Sequence, residues 1–248
     1  MIICRSAAEI ERLRRSGRMA RALLLELQER AQPGVSTLEL ERYIEKRIAQ
    51  LGARPAFKGY RGYPCCLCTS VNDEVIHGIP SERSLKKGDI LSLDLGVVVD
   101  GYYGDSAITV PVGEIPESTQ RLLRVTQDAL QFAIDQARLG NRLGDVSATV
   151  QRHVEENGYS VVREFVGHGI GRQLHEEPQV PNFGQPGHGP VLKQGMVLAI
   201  EPMVNAGGAA VRVLADNWTA VTADGTLSAH FEHMVAVSRN GPDILTQQ

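Results

Sequence analysis

Leu85-Lys86-Lys87-Gly88-Asp89-Ile90-Leu91-Ser92-Leu93-Asp94 recurs further down the chain as Leu192-Lys193-Gln194-Gly195-Met196-Val197-Leu198-Ala199-Ile200-Glu201. The second copy exchanges Asp94 for Glu201 and keeps the carboxylate. Upstream of each copy lies a second repeated motif, His77-Gly78-Ile79 and His168-Gly169-Ile170. Further upstream, Gly34, Leu40, Ile44, Ile48 and Gly52 fall 106 residues before Gly140, Val146, Val150, Val154 and Gly158. The apolar positions in this set have helical spacing. Each half therefore reads as an amphipathic helix, an HGI turn and a strand ending on a carboxylate. The halves differ by insertions of about 15 and 16 residues, one before the first HGI and holding residues 60–68, the other after the second HGI and holding His175. Insertions in a duplicated scaffold are loops, and loops usually carry function.

The duplication makes the 248 residues one two-lobed domain spanning 1–248, with halves at roughly 34–138 and 139–248. A net charge of -3 and a pI near 6.2 leave no basic footprint for nucleic acid. The N-terminal stretch, with Arg5, Glu9, Glu11 and Arg12, has no apolar signal core, and the longest apolar run is far too short to span a bilayer. The expectation is a cytoplasmic protein with no membrane partner. Of the four cysteines, Cys65, Cys66 and Cys68 crowd one loop too tightly for a C-x-x-C zinc ribbon, and all four, Cys4 included, read as buried reduced thiols. Cys68 shares its loop with Tyr60 and Tyr63.

Local signals place the elements. Ser6 with Glu9 and Ser36 with Glu39 are capping boxes for helices at 6–29 and from 34 onward. Two further helices are expected at 117–138 and 143–156. Strands at 90–99 and 102–110 flank Asp100-Gly101, a strong hairpin signal. In a two-residue turn Asp94 pairs with Ala107, which makes Asp105 its diagonal neighbour on the same face. Asp224-Gly225 predicts a final hairpin whose second strand carries Glu232.

Asp94, Asp105, His168, Glu201 and Glu232 thus sit in short strand-like or Gly-framed motifs at spacings of 11, 63, 33 and 31. Two carboxylates on one sheet face repel, and one pKa rises unless cations neutralise them. Taken singly, Asp94 and Glu201 read as strand-end turn residues and the others as surface charges, but equivalent placement in a repeat argues against that. Four carboxylates and an imidazole suit Mn, Fe(II), Co or Zn in a two-metal cluster with ions about 3.5 to 4 Å apart. His77 and His175 are not needed as ligands and read as hydrogen-bond donors to a reacting amide. His230 and His233 flank Glu232, where either can support a ligand.

Gly167-His168-Gly169-Ile170-Gly171-Arg172-Gln173-Leu174-His175-Glu176-Glu177-Pro178, Asp94 eleven residues before Asp105, Glu201-Pro202-Met203 and Glu232-His233 together resemble the type I methionine aminopeptidase family. The resemblance covers nearly the whole chain. It implies the α+β pita-bread fold, two pseudo-symmetric halves around a central antiparallel sheet. It also implies removal of the initiator methionine when the next residue is small, by metal-hydroxide attack on the first peptide bond. Asp94, Asp105, His168, Glu201 and Glu232 would be ligands of two divalent ions (Co, Mn, Fe(II) or Zn). Glu201 would also shuttle a proton, His175 would stabilise the tetrahedral oxygen, and His77 would contact the amide nitrogen. Phe57, Tyr60, Tyr63, Cys68, Leu174 and Trp218 would form the methionine pocket; without the resemblance these aromatics read as ordinary core. Asn72 and Ser228 match positions near a monovalent cation. The implied partners are N-terminal methionine peptides and nascent chains, met by a monomer in transient association with the ribosome.

Three positions depart from the family's pattern: Leu174 for a frequent aromatic, Ile76 for an occasional Cys and Met234 for the usual Thr. None removes a ligand or either histidine. Prolidases and X-Pro aminopeptidases share the metal fold but carry a large N-terminal domain for which 248 residues leave no room. A metal-free binding module on the same scaffold is the alternative from another class, and all five ligands argue against it.

Overall fold

The computed structural model describes residues 1–247, so Gln248, the last residue of the expected domain, lies outside the described residues. Four helices carry the outer layers: α1 (Ala7–Arg30), α2 (Thr37–Gln50), α3 (Glu117–Gln136) and α4 (Leu143–Glu156). Both expected capping boxes form. Ser6 and Ser36 each accept from the backbone of the Glu three residues on, whose carboxylate accepts the cap residue's N–H in return. α2 and α4 match residue for residue at the 106 offset. The same offset relates Arg30 to Gln136, the last residues of α1 and α3. The repeat therefore extends upstream into the long helix that precedes each of α2 and α4.

All strand pairings are antiparallel among the described residues. Strand Ile90–Val99 lies between Leu67–Val71 and Arg54–Pro55, and also pairs with Tyr102–Pro111. The second half centres on Val197–Ile200, flanked by His233–Ser238 and Gly167–Gly169, with Gly241–Ile244 and Glu176–Val180 at the edges. These two ladders meet where Glu232 N–H donates to Ala107 O (3.0 Å). Period-two alternation sorts their side chains. Leu91, Leu93, Leu95, Leu198 and Ile200 join Leu23, Leu24, Leu27, Ile44, Ile48, Val150 and Val154 in the helix-side core. Asp94 and Glu201 are left to the opposite, concave side.

The Asp100-Gly101 turn forms as expected, with φ of 51° and 79°, the left-handed pair that a two-residue hairpin requires. Asp224-Gly225 does not close a hairpin. Ala220–Thr222 pairs with Val211–Val213 and Glu74–Ile76, whereas Ser228–His230 pairs with Met203–Asn205. The Asp224 carboxylate accepts instead from Gly208 N (2.7 Å) and Thr226 N (3.1 Å), making a turn between two sheets. Glu232 accordingly lies in the break before strand His233–Ser238, and the last hairpin is that strand with Gly241–Ile244. Cys66 and Cys68 are buried as expected, but Cys65 is half-buried and Cys4 is exposed, because Cys4 precedes the first helix and packs under nothing.

Candidate active site

Asp94 lies opposite Ala107 in the hairpin and Asp105 opposite Gly96, so the two carboxylates are diagonal neighbours. Ser106 Oγ donates to Glu232 O (2.9 Å), which together with the Glu232–Ala107 bond holds Glu232 beside Asp105. His168 is framed by glycines for a steric reason. A Cβ at Gly167 would lie 2.3 Å from Ala199 O, and one at Gly169 2.3 Å from Glu177 O. The strands close in on both sides of the imidazole. Its Nδ1 is 2.9 Å from Gly169 O, which fixes the proton there and leaves the Nε2 lone pair facing the acids. Nε2 lies 3.5 Å from Glu201 Oε1 and 3.9 Å from Asp105 Oδ2.

The five residues line one cavity of about 300 Å³. Donor atoms of Asp105, His168 and Glu232 come within 4.8 Å of one another, while Asp94 and Glu201 stand outside this tightest trio. Burial raises the proton affinity of every acid, with added repulsion from the neighbouring carboxylates at Asp94, Glu201 and Glu232. Asp105 is pushed up to about 7 by burial. Burial takes His168 down to about 3. Asp94 Oδ1, Asp105 Oδ1 and Glu232 Oε1 are buried with no hydrogen-bond partner among the described residues. Unpartnered buried carboxylates beside a neutral imidazole lone pair are costly unless cations complete them. The donor set fits divalent metal.

His77 and His175 both line the same cavity. His77 is held at φ 60° and packs edge-on to Phe165 (5.6 Å) and Trp218 (6.2 Å). Its partner Gly78 cannot be larger, since a Cβ there would lie 2.2 Å from Thr69 O. His175 stands at the rim with its outer edge exposed and its inner face against His168, ring centres 4.2 Å apart. Tyr60 Oη is 2.7 Å from His175 Nδ1. Burial takes both imidazoles down to about 4, with the other histidine adding to the effect at His77 and Arg61 at His175.

The expected pocket residues Phe57, Tyr60, Tyr63, Cys68, Leu174 and Trp218 all line this cavity, beside the acids. Tyr63 meets Trp218 edge-on at 5.1 Å, and its hydroxyl faces Leu67 O and Gly78 O, each at 3.0 Å. Phe57 crosses the sheet over Gly96, where a Cβ would lie 2.5 Å from the ring. Burial raises the Cys68 thiol well above its ordinary range, so the pocket wall is uncharged there. The sequence reading did not assign Phe165, Ile76 or Arg61, which also line the cavity. Met234, in place of the usual Thr, offers its sulfur to Asp105 N at 3.1 Å. Of the two histidines beside Glu232, His230 faces Glu201, whereas His233 turns away to Thr246 Oγ1 (2.7 Å). Ser228 N–H donates to Asn72 O (2.9 Å). The side chains of both are already engaged, Asn72 with Asp89 and Ile90, and Ser228 with Asn205.

The model of metallopeptidase family M24 matches residues 11–239. The chain belongs to that family. As an M24 metallopeptidase it is 52% identical over 246 residues to methionine aminopeptidase from Clostridium perfringens, covering 99% of both chains. The crystal structure of methionine aminopeptidase from Thermotoga maritima superposes with a TM-score of 0.98 at 46% identity, covering 100% of both chains. The prolidase from Pyrococcus horikoshii shares the fold at 23% identity and a TM-score of 0.80, with this chain covering 64% of its length. The α+β pita-bread fold that the family resemblance implied therefore stands. No helix among the described residues is long and apolar enough to cross a membrane.

Proposed function

We propose that this M24 metallopeptidase removes the initiator methionine from new proteins whose second residue is small. The observation that carries the reading is one cavity whose one wall is five metal-ligand side chains and whose other wall is an apolar slot. Asp94, Asp105, His168, Glu201 and Glu232 would hold two divalent ions, Co, Mn, Fe(II) or Zn, whose chemistry is to polarise the scissile carbonyl and acidify a water.

The chain's own residues supply the rest. The methionine side chain enters between Phe57, Tyr63, Cys68, Leu174 and Trp218, with Tyr60 at the mouth. His175 is neutral near pH 7, and with the Tyr60 O–H donating to Nδ1 the imidazole proton would lie on Nε2. That Nε2–H is the donor for the oxygen that becomes negative in the tetrahedral state. His77, also neutral, lines the same cavity to contact the amide nitrogen. Glu201 takes a proton from the attacking water and returns it to the leaving amine, acting first as general base and then as general acid. With His77, His175 and Phe165 crowding the scissile bond, a small second residue fits best.

The same reading includes a cytoplasmic monomer that meets nascent chains transiently at the ribosome. A monovalent cation near Asn72 and Ser228 also belongs to it, and would take backbone carbonyls because both side chains are engaged. Metal analysis together with turnover of Met-Ala-Ser peptide tests the function. Two equivalents of metal with rapid release of methionine are expected; protein that takes up no metal and releases no methionine would leave the metal-free binding module as the better reading.

A further inference from the structure

An open shelf of about 690 Å³ adjoins the catalytic cavity and shares Arg61, Val166, His168 and His175 with it. If methionine fills the apolar slot, the peptide beyond the scissile bond leaves past His175, and the shelf is the wide opening joined to the cavity there. Extended chain advances about 3.4 Å per residue. Residues three to five of a substrate therefore lie over the shelf.

Its charge is uneven. Arg5 borders it but is neutralised by Glu176 and Glu9. Arg61 and Arg172 are in no ion pair among the described residues, and of the two acids that also line the shelf Glu176 is taken up by Arg5, which leaves Glu177. Arg172 rests its guanidinium 4.6 Å over the Tyr102 ring and donates to the Tyr102 hydroxyl (2.8 Å). Arg61 lies 5.4 Å from the Tyr60 ring centre, at the junction of shelf and cavity. It is held at φ 49°, between Gly59 at 86° and Gly62 at 91°. Gly59 N–H donates to Tyr63 O (2.7 Å) and Tyr63 N–H to Tyr60 O (2.9 Å), so the turn is closed around it. A non-glycine residue in this region is uncommon and persists when its surroundings impose it. Arg172 is thus held on Tyr102, Arg61 springs from a closed turn, and neither is in an ion pair with a carboxylate among the described residues.

We propose that Arg61 and Arg172 form a subsite for acidic side chains at the third to fifth residues of the substrate. This rests on the aminopeptidase reading. The pairs are solvent-exposed, so the selectivity is modest and screened by salt.

The test compares kcat/KM of the metal-loaded enzyme on Met-Ala peptides carrying Asp-Glu, Ser-Gly or Lys-Lys at residues three and four. The acidic peptide should exceed the basic one by about 2- to 10-fold at ionic strength of about 0.05 M, and the ratio should fall toward one at about 0.5 M. Arg61→Ala with Arg172→Ala should remove the preference, Arg61→Glu with Arg172→Glu should reverse it, and Arg61→Lys should keep it. A wild-type ratio of one, or a preference that survives the double alanine variant, overturns the subsite while cleavage of the neutral peptide upholds the aminopeptidase. Failure to cleave any of the three overturns the underlying reading and the subsite with it.

Discussion

His230 Nε2 lies 3.5 Å from Glu201 Oε2, a contact short of a hydrogen bond, and the atom is buried with no hydrogen-bond partner among the described residues. Strand Ser228–His230 pairs with Met203–Asn205 so that His230 faces Met203, two residues past Glu201. Burial takes the imidazole down to about 3, so it is neutral and carries a single N–H. A proton on Nε2 would point at Oε2, while Oε1 lies toward His168. His230→Gln keeps a donor at this place and should retain most activity. His230→Leu should lose about 10- to 100-fold in metal affinity or rate. Metal titration beside turnover decides, and equal losses in both variants would show that shape rather than the donor matters.

His175 and His77 should separate from the ligands. His175→Ala should keep its full metal content and lose roughly 10² to 10³ in kcat, the usual cost of one oxyanion donor. His77→Ala should behave similarly. Tyr60→Phe should cost less than His175→Ala, since it frees the tautomer without removing the ring. Stoichiometric loss of metal in either histidine variant, with the fold intact, would make that residue a ligand.

Chelation should abolish activity, and added Mn, Co or Fe(II) should restore it. Because metal binds the folded state, chelation should also lower the melting temperature. Asp94→Asn should lose metal and rate, yet metal-free Asp94→Asn should melt no lower than metal-free wild type. Four carboxylates share the buried site, and neutralising one relieves repulsion and desolvation. A markedly lower melting point for the metal-free variant would mean that Asp94 holds the fold rather than the ions.

Sequence patterns revealed what local chemistry or repetition imposes. Asp100-Gly101 gave its hairpin because both residues tolerate positive φ between alternating strands. Asp224-Gly225 carries the same local signal, but which strands pair on either side depends on tertiary partners, and there they differ. The carboxylates of Asp94 and Glu201 were visible through the repeat. The contact of Tyr60 with His175 spans 115 residues and has no local signature. Phe165, Arg61 and the inward turn of His230 likewise emerge only when the lobes close on each other.

A pH effect should arise far from the site. Arg47 donates Nε and Nη2 to the Glu26 carboxylate (2.8 and 2.9 Å), and the Tyr43 hydroxyl adds a third bond, tying α1 to α2. The Arg47 bonds, with Tyr43 assisting, lower Glu26 from 4.5 to about 2. A depressed carboxylate stabilises above its unfolded value and loses that contribution as pH falls through the folded one. Glu26→Gln should therefore melt about 1 to 4 °C below wild type near pH 7. The gap should close between about pH 4.5 and 2. A gap that does not change with acidification would exclude the ion pair as its source.

In the proposed reading, Leu174 sets the width of the methionine slot. It is buried against Phe57, Tyr63 and Cys68, directly before His175 in the chain, and is slimmer than the aromatic residue frequent at that place in the family. An unbranched, flexible thioether fits a narrow apolar slot, and β-branched residues should be turned away by their width. The slimmer wall should admit leucine or norleucine at a measurable rate. One altered apolar contact changes discrimination by about 10- to 200-fold, enough to shift the preference for methionine but not to invert it. Leu174→Phe should accordingly raise the Met-to-Leu ratio of kcat/KM, measured on Met-Ala, Leu-Ala and Val-Ala peptides, while Val-Ala stays poor in both proteins. An unchanged Met-to-Leu ratio would show that the slot is gated elsewhere, by Tyr63 and Trp218 packed edge to face across it.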